Sequence, residues 1–105
     1  MLLGDIRNRF EKIFTCEEMG RISFRSANGQ LVIAADVHGL TRREAKRFLN
    51  NIILLVRKAF MLVVIHGYVH GTALKTMIQN TPFNKRVVSK WDVPWNCGVT
   101  LLECT

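Results

Sequence analysis

One carboxylate and two imidazoles stand beside glycines at the ends of two apolar runs. Asp36 and His38 close the run at 31–37, and His66 follows the run at 61–65. Such side chains commonly move protons in catalysis and stabilise developing charge. Asp36, His38 and His66 are therefore the candidate catalytic residues for cleavage of a phosphodiester bond, although an aspartate near a strand end is often a cap or turn former and each histidine could be a half-buried imidazole bonded to loop carbonyls. Asp36 would be the base or would hold a divalent cation, Mg²⁺ or Mn²⁺. The two histidines would donate protons or stabilise charge.

The segment after His66 has the residue types of a phosphate-binding loop. Its two glycines allow close approach of the backbone, and a helix over 71–80 would direct its unpaired N–H groups and positive dipole end to the same place. Thr72 could cap this helix or donate to phosphate, and Lys75 lies one turn further on. The nucleic-acid-binding residues predicted in this segment are Gly67, Tyr68, His70, Gly71, Thr72 and Lys75.

Aromatic and histidine side chains near this loop have competing interpretations. Tyr68, Trp91 and Trp95 could stack on unpaired bases, but large aromatics more often pack in the interior, and only Tyr68 lies in the predicted loop. We therefore expect stacking from Tyr68 alone. His70 follows His66 at the spacing of a helical metal pair, but a glycine follows each histidine and no glutamate is adjacent, so a loop is expected.

The elements that must position these residues are two strands and the helix between them. Residues 31–37 and 61–65 are nearly continuous apolar runs, typical of strands buried on both faces. Thr41 and Glu44 form a capping box ahead of an apolar stripe at helical spacing. The stripe comprises Ala45, Phe48, Leu49, Ile52, Val56 and Phe60. Parallel strands joined through a helix end at one edge of a sheet, where ligands of open α/β sheets bind.

The rest of the chain completes an α/β sandwich. Residues 86–91 and 99–104 are two further strands, so the order is β-α-β-α-β-β, with two helices against a mixed four-stranded sheet. Ahead of this order we predict a helix over 2–14, a short capped turn over 15–20 and a short strand near 21–26.

Three segments together resemble the motifs of the Smr (small MutS-related) family. Residues 35–41, ADVHGLT, are similar to the L-D-x-H-G-[LM]-[TS] signature that opens Smr domains. Residues 64–67, VIHG, with Gly71 resemble the H-G-x-G-x-G segment, and residues 98–100, GVT, resemble the closing G-x-T strand. Two departures are Ala35 in place of leucine and Val69, with one extra residue, where the second glycine belongs.

The Smr resemblance implies a fold like that of the C-terminal domain of translation initiation factor three. It also implies a module that binds nucleic acid and, in several members, nicks DNA or cleaves RNA, with divalent-metal dependence in some. It places Asp36 and His38 at the catalytic or substrate-contacting position and His66, Gly67 and Gly71 in the loop that binds the backbone. We assign residues 29–105 to a Smr-like domain and residues 1–28 to an N-terminal helical extension.

Positive charge is concentrated after the first twenty residues. Residues 1–20 carry three basic and four acidic side chains, whereas residues 21–105 carry twelve and four, within a net charge of +7. This excess favours a polyanionic partner, nucleic acid. Arg43, Lys46 and Arg47 lie on the polar face of the capped helix and are predicted to contact the nucleic-acid backbone, although such a face is by default simply solvated.

The sequence predicts a cytoplasmic protein without a membrane partner. The most apolar stretch, 52–65, is interrupted by Arg57 and Lys58 and is shorter than the roughly 20 residues of a spanning helix. The N-terminus carries charges where a signal peptide would be apolar. Three cysteines without a C-x-x-C pair suit reduced thiols. Either a monomer or a homodimer is compatible with these features.

Three functions are compatible with the sequence. The leading hypothesis is an endonuclease acting on RNA or DNA, because an acid and two imidazoles converge on one predicted edge. The second is a module that binds structured nucleic acid or a ribosomal complex without cutting, because the charge is high and the glycine loop is altered. The third is a protein-interaction module in which the N-terminal helix pairs two copies and the basic surface only keeps the protein dissolved.

Overall fold

The secondary structure comprises four helices and five strands in a computed structural model that describes residues 3–67 and 72–105. The helices are α1 (Leu3–Glu11), α2 (Cys16–Met19), α3 (Arg42–Leu55) and α4 (Ala73–Asn80). The strands are β1 (Ile22–Ala27), β2 (Gln30–Asp36), β3 (Phe60–Ile65), β4 (Val87–Val93) and β5 (Asn96–Cys104). The α/β sandwich with a mixed sheet is confirmed.

The sheet has the strand order β1-β2-β3-β5-β4. β2 and β3 run parallel with Asp36 opposite Ile65, and the other three pairs are antiparallel. β1, the short strand predicted near 21–26, joins the expected four strands as a fifth strand of the sheet. It pairs with β2 through a turn at Asn28 and Gly29, whose positive φ angles of 53° and 78° suit the twist of a tight hairpin.

α3 begins as its capping box predicts and ends before its apolar stripe does. The Thr41 hydroxyl accepts from the Glu44 N–H at 3.1 Å, and the Glu44 carboxylate accepts from the Thr41 N–H at 2.9 Å. The helix ends at Leu55 because Val56 is extended, with φ of −98° and ψ of 115°. Phe60, predicted to continue the stripe, instead begins β3 and is buried there.

Two arginines from distant segments hold the carboxyl end of α3. Arg9 donates to the Leu55 carbonyl at 2.8 Å, and Arg86 donates to the Val56 carbonyl at 2.5 Å. The last carbonyls of a helix lack partners within it, and cations are favourable there. Because the donors lie 46 and 30 positions away in sequence, local sequence signals do not mark this helix end.

The first helix shares one hydrophobic core with the rest of the chain. Phe10 is fully buried, and its ring centroid lies 5.5 Å from that of Phe14 and 5.0 Å from that of Phe24. Phe14 in turn lies 5.3 Å from Phe48 of α3. Ile6 and Phe10 of the apolar stripe of α1 are therefore buried within their own chain, whereas Leu3 is 37% exposed. The boundary at residue 28 stays a prediction, but packing is continuous across it.

Helices and sheet form two layers. Buried side chains of α1, α3 and α4 share one cluster with alternate residues of the central strands, including Ile33, Leu62 and Leu102. The intervening strand residues point to the opposite side, which we call the open face, because no helix of the described residues covers it. The open face includes Val32, Ala34, Asp36, Met61, Val63, Ile65, Val99 and Leu101. Among the described helices, none is long and apolar enough to cross a membrane.

Candidate active site and nucleic-acid interface

Asp36 and His38 form a hydrogen-bonded pair at the carboxyl end of β2. The His38 ring Nδ1 lies 2.5 Å from Asp36 Oδ1, and the His38 backbone N–H donates to the same oxygen at 3.1 Å. Because a carboxylate only accepts, Nδ1 carries a proton, and Nε2 is the acceptor of the neutral ring. The His38 side chain is 66% exposed and that of Asp36 is 33% exposed, so a substrate can reach the pair.

Arg21, which the sequence did not single out, positions this pair through the backbone. Its guanidinium donates to the carbonyl of Asp36 at 3.1 Å and to that of His38 at 3.2 Å. The Arg21 carbonyl also accepts from the Asp36 N–H at 2.8 Å. These bonds hold both ends of the Asp36–His38 turn. Only the pairing of β1 with β2 brings Arg21 there, so a local motif could not have identified it.

His66 lies at the same edge but is enclosed. It is 5% exposed, and both ring nitrogens are occupied: Nδ1 donates to the Gly67 carbonyl at 2.8 Å, and Nε2 lies 2.9 Å from the Thr100 hydroxyl. Because the carbonyl only accepts, Nε2 of the neutral ring accepts from Thr100. The catalytic role predicted for His66 stays a prediction, and these contacts show that its ring is buried against Gly67 and Thr100 and does not face solvent.

A chain of polar side chains extends from His66 across the helix layer. The Thr100 hydroxyl, which is fully buried, accepts from the Gln79 amide at 2.9 Å, and Gln79 also donates to Asp92. Thr100 and Gln79 were not predicted as site residues. In the sequence, Thr100 carried a signal only as part of the closing G-x-T segment, whereas Gln79 is one polar residue among several on α4.

Enclosure of His66 makes the stability of the protein depend on pH. Burial lowers the pKa of His66; the Gly67 carbonyl opposes this shift, and the charge of Lys75 reinforces it. The unfolded chain therefore binds a proton below about pH 6.5, where the folded chain resists one. We expect the free energy of unfolding to fall as the pH drops through this range, by up to about 1.4 kcal/mol per pH unit.

Urea unfolding at several pH values between 5 and 7.5 measures this dependence. A His66→Gln chain should lose the slope even though its stability is lower at every pH. The matched control is Ile52→Val, which weakens the core without removing a titratable group and should keep the slope. An unchanged slope in His66→Gln would contradict the assignment.

Gly67 brings the two strand ends into contact. An added Cβ at Gly67 would lie 3.5 Å from the His38 Cβ, and the residue has a positive φ of 71°. The Gly98 carbonyl accepts from the N–H groups of His66 and Gly67 at 2.9 and 3.0 Å, so the start of β5 also joins this edge. A side chain at position 67 would strain the backbone beside the Asp36–His38 pair.

The predicted phosphate loop is described in part. Tyr68, His70 and Gly71 lie outside the described residues. Thr72 precedes α4, which begins at Ala73, and within the described part of the chain its hydroxyl makes no capping hydrogen bond. Lys75 lies in the first turn of α4, near enough to His66 to affect its pKa.

The basic residues of α3 are exposed, as a contact to nucleic acid requires. Arg43, Lys46 and Arg47 all face solvent. Arg47 also lines a groove of about 420 Å³ between α2 and α3, together with Arg21 and Glu44. Acidic neighbours in this groove weaken the positive potential around Arg47, so Arg43 and Lys46 are better placed to attract phosphate.

Binding of a divalent cation at this site would require a phosphate of the substrate as a further ligand. Among the described residues no group of three His, Cys, Asp or Glu side chains is arranged to hold a metal ion. Mg²⁺ in nucleic-acid enzymes is commonly held by one or two carboxylates together with substrate phosphates and water. Asp36 fits that pattern as a single carboxylate at an exposed edge, and it would be the protein ligand of Mg²⁺ or Mn²⁺ once a substrate phosphate is bound.

The hairpin of β4 and β5 reaches the same edge. β5 starts where β3 ends, with Val99 opposite Ile65, and the turn at Pro94 and Trp95 lies beyond that point. The Trp95 side chain is 86% exposed and that of Trp91 is 45% exposed, although the sequence favoured interior packing for both.

Comparison of the chain with protein-family models and with curated proteins gives no match.

Proposed function

We propose that the protein is a cytoplasmic, Smr-like nucleic-acid-binding protein that cleaves phosphodiester bonds at the Asp36–His38 pair. The observation that carries this proposal is the 2.5 Å contact between His38 Nδ1 and Asp36 Oδ1 on an exposed strand end. A carboxylate that holds one imidazole nitrogen protonated leaves the other nitrogen as a base and stabilises the imidazolium that forms. The net charge of +7 favours a polyanionic substrate.

RNA is the substrate that such a pair can cleave most directly. RNA carries its own nucleophile, the 2′-hydroxyl, and His38 Nε2 can accept its proton as the 2′ oxygen attacks phosphorus. The bond from phosphorus to the 5′ oxygen then breaks, the 5′ oxygen takes a proton from water, and a 2′,3′-cyclic phosphate remains. DNA requires water as the nucleophile, and there Asp36 could share Mg²⁺ or Mn²⁺ with the substrate.

Positive groups near His66, at the same edge of the sheet as the pair, suit the phosphate that reacts. Lys75 would supply a charge, α4 the positive end of its dipole, and Thr72 a hydroxyl donor. His66 supports this arrangement by holding Gly67 and Thr100 in place. Arg43 and Lys46 would bind backbone phosphates further from the bond that breaks.

Binding without cleavage is the second candidate function. The burial of His66 favours it, because only one imidazole of the described residues faces solvent, so residues 3–67 and 72–105 offer the pair no second exposed imidazole to protonate the leaving oxygen. Such a module would show affinity that falls with salt and would release no product. We do not propose self-association through α1, since Ile6 and Phe10 of its apolar stripe are buried within the chain.

The test is a cleavage assay with labelled RNA and DNA of one sequence, each single-stranded and duplex, in EDTA and in Mg²⁺ or Mn²⁺. We expect RNA to be cut in EDTA to a 2′,3′-cyclic phosphate and a 5′-hydroxyl. Preparations of His38→Gln purified in parallel measure contaminating nuclease. Salt-sensitive binding without product in any condition would establish the second function. Affinity indifferent to salt would contradict both.

A further inference from the structure

Both tryptophans of the chain lie on the β4–β5 hairpin and are exposed. Trp95 occupies the turn, with 86% of its surface exposed, and Trp91 lies four residues earlier on β4, with 45% exposed. Exposure of a large indole forfeits the burial that normally stabilises it, so two exposed indoles on one hairpin indicate an interaction surface.

Strand register places Trp91 on the open face. Trp91 is opposite Leu101, and Leu101 is opposite Val63, so the three side chains form a row across β4, β5 and β3. The next row towards the site contains Val99, Ile65 and Asp36. We call Trp91, Trp95, Leu101, Val63, Val99 and Ile65 the platform. Three strand spacings of about 4.8 Å put β4 roughly 14 Å from β2 and the Asp36–His38 pair.

We propose that unpaired nucleotides bind across the platform, with bases stacked on Trp95 and Trp91 and the backbone leading to the Asp36–His38 pair. This inference names the substrate class of the proposed site and rests on that proposal. Bases of a single strand can stack on aromatic side chains, whereas those of a duplex are already stacked on one another. The apolar side chains of the platform offer each base a surface without requiring a particular base sequence.

The positive charge of the chain favours a nucleic-acid strand over an apolar partner protein as the ligand of the platform. The chain is strongly basic, Lys75 lies at the site edge, and Arg25 is exposed on the open face opposite Val32. A nucleic-acid strand crossing from Trp95 towards Asp36 would thus place its bases on the platform and its phosphates near these cations. Single-strand binding elsewhere combines the same two features.

The tryptophans make the proposal directly measurable, since no other residue supplies indole fluorescence. The probes are octamers of uridylate and thymidylate with uncleavable backbones, and a closed hairpin duplex of similar charge. We expect single strands to quench tryptophan emission strongly and the duplex to quench it weakly. Trp95→Ala should weaken single-strand binding about 5- to 150-fold, and Trp95→Phe should retain part of the affinity.

The control is Leu54→Ala, which removes an exposed apolar side chain from α3 and should leave the affinity unchanged. Strong quenching of tryptophan emission by single strands, without cleavage of RNA, would support the platform and contradict the proposed nuclease activity. Cleavage with unchanged emission, or with equal affinity in Trp95→Ala, would overturn the platform and leave the nuclease standing. Equal quenching by the duplex would also overturn it. The platform would also be overturned if tryptophan emission changed with protein concentration in the absence of nucleic acid, because this face would then bind a second copy of the chain.

Discussion

A His38→Gln chain is expected to cleave RNA about 10²- to 10⁴-fold more slowly than the unchanged protein, because the general base is lost. The substituted side chain is 66% exposed, so the fold should survive the change. Initial rates on a single RNA linkage, measured as kcat/KM in EDTA, give the size of the loss. Circular dichroism and urea unfolding of the same preparation verify that the folded state is retained.

Asp36→Asn should be nearly as damaging as His38→Gln. An asparagine amide can donate to Nδ1, which favours the tautomer with its proton on Nε2 and removes the base. If Asp36 acts through His38, the double variant should cleave no more slowly than His38→Gln alone. Losses that multiply would contradict this and indicate an independent role for Asp36, such as holding Mg²⁺. Glu11→Gln, an exposed carboxyl change on α1, should leave the rate unchanged.

Phe10→Ala is expected to lower the free energy of unfolding by about 3 to 5 kcal/mol, the usual cost of emptying a buried phenylalanine site. The expectation follows from the packing of Phe10 between Phe14 and Phe24, although Phe10 lies outside residues 29–105, the domain predicted from the sequence. Domains of this size have total stabilities of only about 5 to 15 kcal/mol, so the variant could be partly unfolded at room temperature. Urea unfolding followed by circular dichroism measures the change.

Ile13→Ala is the matched control for Phe10→Ala. Ile13 lies in the same N-terminal segment but is 58% exposed, so its truncation should change stability by no more than about 0.5 kcal/mol. Similar small losses in both variants would show that residues 1–28 are a separable extension. A large loss in Phe10→Ala alone would show that this segment is part of the folding unit.

Much of the fold could be predicted because its signals are local. The two residues of the capping box, Thr41 and Glu44, are three positions apart, and the apolar runs that form β2 and β3 are each a short continuous segment. The parallel pairing of those strands follows from their connection through a helix. The contact between Asp36 and His38 is local as well, but it is made in a turn: β2 ends at Asp36, whose carboxylate accepts from the His38 N–H two residues further on.

The features that could not be predicted depend on contacts between distant segments. Arg21 reaches the Asp36–His38 turn only because β1 joins the sheet, and α3 ends where Arg9 and Arg86 meet its carbonyls. Trp95 is exposed because it lies in the hairpin turn, beyond the last paired residues of β4 and β5. The composition of the chain and the spacing of its residues do not predict these contacts.

The sequence by itself determined the order of helices and strands, the edge at which they end, and the pairing of one acid with one imidazole. All three follow from periodicity and from neighbours within a few residues. Only the tertiary structure decided that His38 is exposed and His66 is enclosed, although both follow apolar strands and precede glycines. The physical reason is that burial depends on what packs against a side chain. For His66 that is Thr100, which lies 34 residues away in sequence.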